Sequence, residues 1–147
     1  MKILVDADAC PVKELIVSAA RKRSIPVLML MDTSHERDDG YSTVIIVDKG
    51  RDSADIRLVN LTEPGDLVVT QDYGVAAMAL ARGARAVNQN GIVYGAENMD
   101  RLLFERALGQ KIRRAGGKAG KNKRRTKDDD EAFRKALDGL LAKKPGL

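Results

Sequence analysis

Five short apolar runs recur along this chain, each too brief to make a helix. They are Ile3–Val5, Val27–Met31, Thr43–Val47, Leu67–Thr70 and Ala84–Val87. Runs of this length, rich in β-branched residues and bounded by Gly, Pro or acids, read as strands buried on both faces. Helical patterns lie between most of them. The first is expected from Pro11 to about Lys22, with Val12, Leu15, Ile16 and Ala19 on one face. Pro11 suits its first turn, and Asp8 or Cys10 falls near its cap. Asp32–Tyr41 is a polar loop. Ser53 to about Leu61 reads as a second helix, ended by the turn Glu63-Pro64-Gly65-Asp66. An Ala-rich helix is expected over Tyr73–Arg82, with Gly83 at its C-cap. Asn98–Arg114 is the last helix of the body. Alternating strand and helix predicts an α/β fold: a three-layer αβα sandwich around a mostly parallel sheet.

The core must be aliphatic, because aromatics are 3% of the chain and Trp is absent while hydrophobic residues are 44%. One cysteine excludes an internal disulfide and a cysteine-rich zinc site. No run approaches the about 18 apolar residues that span a bilayer, and no signal-peptide pattern precedes the first strand. A cytoplasmic protein with no membrane partner is therefore expected.

Charge divides the chain. Residues 1–111 hold 14 basic and 16 acidic residues, a net of −2, whereas residues 112–147 hold 12 and 5, a net of +7. Eight basic residues and no acid lie between Arg113 and Lys127. Such a block is either a solubilising tail or an arm for a polyanion. Arg113, Arg114, Lys123, Arg124 and Arg125 are its candidate nucleic-acid contacts. The expected organisation is a domain over 1–114, a basic flexible linker over 115–129, and a short helix with tail over 130–147.

The functional signal is acidic. Asp6 and Asp8 follow the first strand, Asp72 follows the strand ending at Thr70, and Asp52 and Asp55 open a helix. In a parallel sheet, ligands bind at the carboxyl ends of the strands, the edge to which these segments lead. Like charges gathered there are costly unless a cation separates them. Hard cations take carboxylate and water oxygens together with substrate phosphate, which makes Mg²⁺ or Mn²⁺ the expected cofactor. Asp8, Asp52, Asp55 and Asp72 each have a plainer explanation as helix caps. Asp6 lies too early for that. Lys49 beside these acids suits a phosphate or an ion pair, Thr70 suits a ligand or water, and Tyr73 suits either a base or the sheet. Cys10, near a helix start, is read as buried or capping before it is read as a nucleophile, and His35 as a loop residue.

With these residues in hand, the chain resembles the PIN-like nuclease superfamily, and within it the bacterial YaiI/YqxD family. The segments that carry the resemblance are Val5-Asp6-Ala7-Asp8-Ala9-Cys10-Pro11-Val12, Asp52-Ser53-Ala54-Asp55-Ile56, Gly65 to Ala76, and Ala84 to Gly91. The resemblance implies a PIN-like fold and a divalent-metal-dependent ribonuclease, with RNA as partner. Asp6 and Asp72 would be catalytic, and Asp6, Asp8, Asp52, Asp55 and Asp72 would hold the metal. Asp8 is a feature of the narrower family. Two other readings stay open. One is an RNA- or ribosome-associated protein without catalysis. The other is a haloacid-dehalogenase-like phosphatase using Asp6-Ala7-Asp8, although the chain lacks that class's later Lys, its Asp-Asp pair and room for a cap.

Overall fold

A computed structural model describes residues 1–8, 10–32, 38–47, 54–116 and 124–142. The elements run β1 (Ile3–Asp6), α1 (Lys13–Lys22), β2 (Val27–Asp32), β3 (Thr43–Val47), α2 (Ala54–Leu61), β4 (Leu67–Val69), α3 (Tyr73–Ala81), β5 (Arg85–Val87), α4 (Ala96–Arg114) and α5 (Lys127–Ala142). The strands form one sheet in the order β3-β2-β1-β4-β5, with every pairing parallel. The expected α/β sandwich is therefore observed. The chain builds outward from β1 to β3, then returns to the other side of β1 for β4 and β5.

Alternation along the strands distributes the core between two faces. Ile3, Val5, Met29, Leu67 and Val69 point toward α1 and α5, together with Ile16, Ala20, Phe133 and Leu137. Leu4, Leu30, Val68 and Ala86 point the other way, against Leu58 of α2, Val75, Ala76 and Ala79 of α3, and Met99 and Leu102 of α4. Residues of the central strands are buried on both faces, as a parallel sheet covered by helices requires.

Side chains secure the lower edge of the sheet. Asp66, only 3% exposed, accepts from the Lys2 backbone N–H at 3.0 Å, the Lys2 ammonium at 2.6 Å and the Glu63 N–H at 2.9 Å. A buried carboxylate is tolerated only when it is paired and hydrogen-bonded in this way. It ties the start of β1 to the start of β4.

Three helix starts differ from the sequence expectation by two or three residues, α4 beginning at Ala96 rather than Asn98. Helix α1 begins at Lys13, with Val12 at its N-cap and no side-chain capping bond. The Cys10 N–H instead donates to the Ala7 carbonyl at 3.1 Å, closing a tight turn before the helix can start. Neither Asp8 nor Cys10 is a cap. Helix α5 starts at Lys127, three residues earlier than expected, because Thr126-Lys127-Asp128-Asp129 closes a capping box. The Asp129 N–H donates to Thr126 Oγ1 at 3.2 Å, and the Thr126 N–H to Asp129 Oδ2 at 2.9 Å.

Helix α5 packs on the body rather than trailing from it. Phe133 and Leu137 are fully buried against the α1 face. Arg85 reaches the Leu140 carbonyl at 2.6 Å. The turn after β5 makes the closest approach. Gly91 has φ +83°, and a Cβ there would lie 2.6 Å from the Ala132 carbonyl oxygen. Gly91→Ala is therefore expected to destabilise the protein by about 1–3 kcal/mol, from positive-φ strain and displacement of α5. Denaturant unfolding measures the loss. Hydrogen exchange should show protection falling first in α5.

Candidate functional site

The turn from β1 toward β2 and the turn from β4 toward β5 diverge at the carboxyl end of the sheet. That divergence is the switch point, where an open parallel sheet leaves a crevice for ligands. Asp6, the last residue of β1, and Asp72, three residues past β4, stand on either side of it.

Thr70 joins them. It is 2% exposed. Its hydroxyl donates to Asp6 Oδ2 at 3.1 Å and accepts from the Asp72 backbone N–H at 3.0 Å. Its single proton is thus committed to Asp6, so Thr70 positions both acids. Asp72 Oδ1 accepts from the Gly74 and Val75 N–H groups at 2.8 and 3.2 Å, capping α3. Those two bonds fix the carboxylate while leaving Oδ2 available.

Asp6, Asp8, Gln71 and Asp72 line one open depression of about 260 Å³. Asp72 also borders an adjoining groove of about 110 Å³ with Asp55, Ile56, Val59 and Met78. On the other side of Asp6, a crevice is lined by Cys10, Thr70, Gln71 and Gln89. Burial pushes the Asp6 carboxyl above its usual range, and the charges of Asp72, Asp8 and Asp55 push it further, against the lowering effect of the Thr70 hydroxyl. Burial also raises the Cys10 thiol, which opposes a nucleophilic thiolate there.

An aromatic pair lies behind this edge. Tyr94 donates to the Thr70 carbonyl at 3.1 Å and meets Tyr73 edge to face at 5.9 Å. Burial, with Tyr73 and Asp72 nearby, pushes the Tyr94 hydroxyl up to about 12. Tyr73 is half-buried in this packing.

The remaining candidates divide. Lys49, Asp52, Lys123 and His35 lie outside the described residues. Arg113 belongs to α4, and Arg114 and Arg124 are exposed. Arg125 is held in the fold instead: it donates to Asp130 at 2.6 Å, Asn90 Oδ1 at 2.9 Å and the Gln89 carbonyl at 2.6 Å. Gln71 and Gln89 were not singled out by sequence reading. Their signal was position, since each follows a strand at the same edge. The Gln89 Oε1 atom is buried without a hydrogen-bond partner among the described residues, so the crevice offers an acceptor beside Asp6.

The donors here suit a hard cation: carboxylates and amide oxygens, without histidine. Among the described residues, no three Asp, Glu, His or Cys side chains are arranged to hold a metal ion by themselves. Carboxylate and amide oxygens are the ligand types that a hydrated ion of the Mg²⁺ type takes.

Fold and site together define an α/β protein with an acid-lined depression at the switch point of a parallel sheet. The chain belongs to the uncharacterised YaiI/YqxD family of bacterial proteins, whose model matches residues 4–143. It is 65% identical to a UPF0178 protein of Ruminiclostridium cellulolyticum over 99% of this chain and 94% of the relative. It is 56% identical to one of Alkaliphilus oremlandii over 93% and 88%, and 48% identical to one of Clostridium kluyveri over 96% and 93%. No solved structure matches. No described helix is long and apolar enough to cross a membrane.

Because the folded state raises the Asp6 pKa, ionised Asp6 works against folding. Below the unfolded pKa the carboxyl is protonated in both states and the penalty vanishes. It grows as pH rises through the folded pKa. Asp6→Asn is therefore expected to raise Tm at neutral pH. The gain should disappear in acid. Thermal melts of both proteins across pH check it.

Proposed function

We propose that this site is a divalent-metal-dependent ribonuclease centre that hydrolyses RNA phosphodiesters. The observation that carries the reading is the Asp6 carboxylate. It is pushed up by burial and by three other acids, yet it opens on a depression shared with Asp8 and Asp72. Acids crowded at a ligand-binding edge of this kind are a signature of function more than of stability.

Asp6 and Asp72 would hold a largely hydrated Mg²⁺ or Mn²⁺, with Asp8 and Asp55 reached through its water shell and Asp52 outside the described residues. The ion would neutralise phosphoryl oxygens and acidify a water in its shell. Asp6 and Asp72 are the catalytic pair, placed on either side of the crevice where the scissile phosphate would lie. Thr70 keeps both in register. Gln71 and Gln89 offer amides to the sugar or base edges of a single strand. This role agrees with the superfamily resemblance, in which acids at strand ends cut RNA.

Binding of RNA without cleavage is the second reading, favoured by the exposed Arg114 and Arg124 on either side of the basic segment.

Cleavage of labelled single-stranded RNA with Mn²⁺ or Mg²⁺ separates the two. The nuclease reading expects Asp6→Asn and Asp72→Asn each to lose roughly 10²-fold or more in rate, the scale of one catalytic group. Mn²⁺ should also raise the Tm of the wild type and leave Asp6→Asn unmoved, since an ion stabilises only the state that binds it. Equal cleavage by all three proteins would sink the proposal. Tight RNA binding with neither cleavage nor a metal response would move the function to the second reading.

A further inference from the structure

Helix α4 is 19 residues long, and only its first part touches the body. Met99 and Leu102 are buried in the core. From Leu103 to Arg114, every residue whose side chain is described is exposed except Gly109, which is half-buried. This second half projects with no tertiary support among the described residues.

A projecting segment of that length is not self-sufficient. Isolated helices shorter than about 12–15 residues are marginal in water, and a Gly inside a helix costs about 1 kcal/mol relative to Ala. The segment also carries an apolar stripe. Phe104, Leu108 and Ile112, spaced four apart and so aligned on one side, are 67%, 47% and 37% exposed. Leu103 beside them is 42% exposed. A stripe of this spacing is what one helix presents to another.

The charges indicate which helix. Glu97, Asp100 and Glu105 lie in the first ten residues, where Arg101 is the only base. After Glu105 the helix has no acid, and the exposed Lys111 and Arg114 follow. The two ends are thus opposite in sign. Parallel pairing would set like against like. Antiparallel pairing about a two-fold axis sets the acidic end of each helix against the basic end of the other, twice, with the apolar stripes between. An isologous interface of this type is the commonest way a chain meets itself.

We infer that α4 pairs antiparallel with α4 of a second copy of this chain, along the exposed face that carries Glu97, Asp100, Phe104, Leu108, Lys111 and Arg114. A polyanion would engage Lys111 and Arg114 but would leave Phe104, Leu108 and Ile112 exposed. A second copy satisfies both features. This inference does not depend on the nuclease reading.

Sedimentation equilibrium of the full chain over a concentration series is the test. The wild type should show a dimer that dissociates on dilution, with helical circular dichroism falling in parallel. Leu108→Glu should weaken the dimer roughly tenfold or more, as removal of a central interface residue does. Because position 108 makes no core contact, the variant's melt should match that of the diluted wild type. Lys111→Glu with Arg114→Glu should weaken association as well. Adding Glu97→Lys and Asp100→Lys to that variant should restore it. A wild type that stays monomeric at every concentration overturns the inference. A dimer indifferent to Leu108→Glu, or charge reversal without rescue, overturns it too. Monomeric wild type that loses RNA affinity in Leu108→Glu would assign the stripe to nucleic acid instead.

Discussion

The pairing of β1 with β4 is the contact on which the rest of the structure depends. It is short: three residue pairs, from Ile3 opposite Leu67 to Val5 opposite Val69. It is also where the chain reverses its direction of growth, so no sequential hairpin or single βα unit enforces it. A side-chain device secures each end. Below, buried Asp66 takes three donors, two of them from Lys2. Above, the Thr70 hydroxyl spans from Asp6 to the Asp72 backbone. The lower device offsets the loop-closure entropy of a contact between residues 64 apart. The upper one does the same while holding two acids at a set separation. Stability at one edge and site geometry at the other are therefore two ends of the same strand pair.

That division explains how the fold tolerates its acidic edge. Burial raises the cost of ionising Asp6, and the carboxylates drawn toward the same depression add to it. The expense is acceptable where the surrounding sheet is rigid. Leu4, Val5, Val68 and Val69 are essentially buried, and the helices on both faces leave the strands no freedom to relax. A strained or charged site persists only when its surroundings over-determine it. Asp72 shows the economy of the arrangement: one oxygen caps α3, so the helix that covers the second face of the sheet is also what orients the acid.

Much of this was legible in the sequence because the signals were local. Thr43–Val47 reads as a strand from its β-branched run alone, and it is observed with those bounds. Asp72 before Tyr73-Gly74-Val75 reads as a cap, and it is one. The acidic edge followed from strand ends and the rule for parallel sheets, without knowledge of strand order. What escaped required distance. That Thr70 commits its proton to Asp6 depends on β1 and β4 being neighbours, which no local pattern states. The Asp8 cap failed because α1 starts only at Lys13, after the Cys10 N–H has bonded back to the Ala7 carbonyl. Gly91 carries no local sign that a residue with a Cβ there would meet the Ala132 carbonyl of α5. The capping box at Thr126 was readable, but the surrounding run of bases drew attention to charge instead.

The basic run is where charge counting and structure part most clearly. As composition it is one block. As structure it has at least two functions. Arg125 spends its guanidinium on Gln89, Asn90 and Asp130 and so belongs to the fold, anchoring the start of α5 beside the turn that follows β5. Gln89 in turn lines the crevice at Asp6. The link has a consequence for any polyanion that approaches. A phosphate competing for Arg125 would have to displace a carboxylate and two neutral acceptors, whereas Arg124 is exposed. Electrostatic attraction to the chain therefore has to be carried by the outer residues of the segment. The inner one sets how closely the crevice wall, and with it the acceptor of Gln89, stands to the acids.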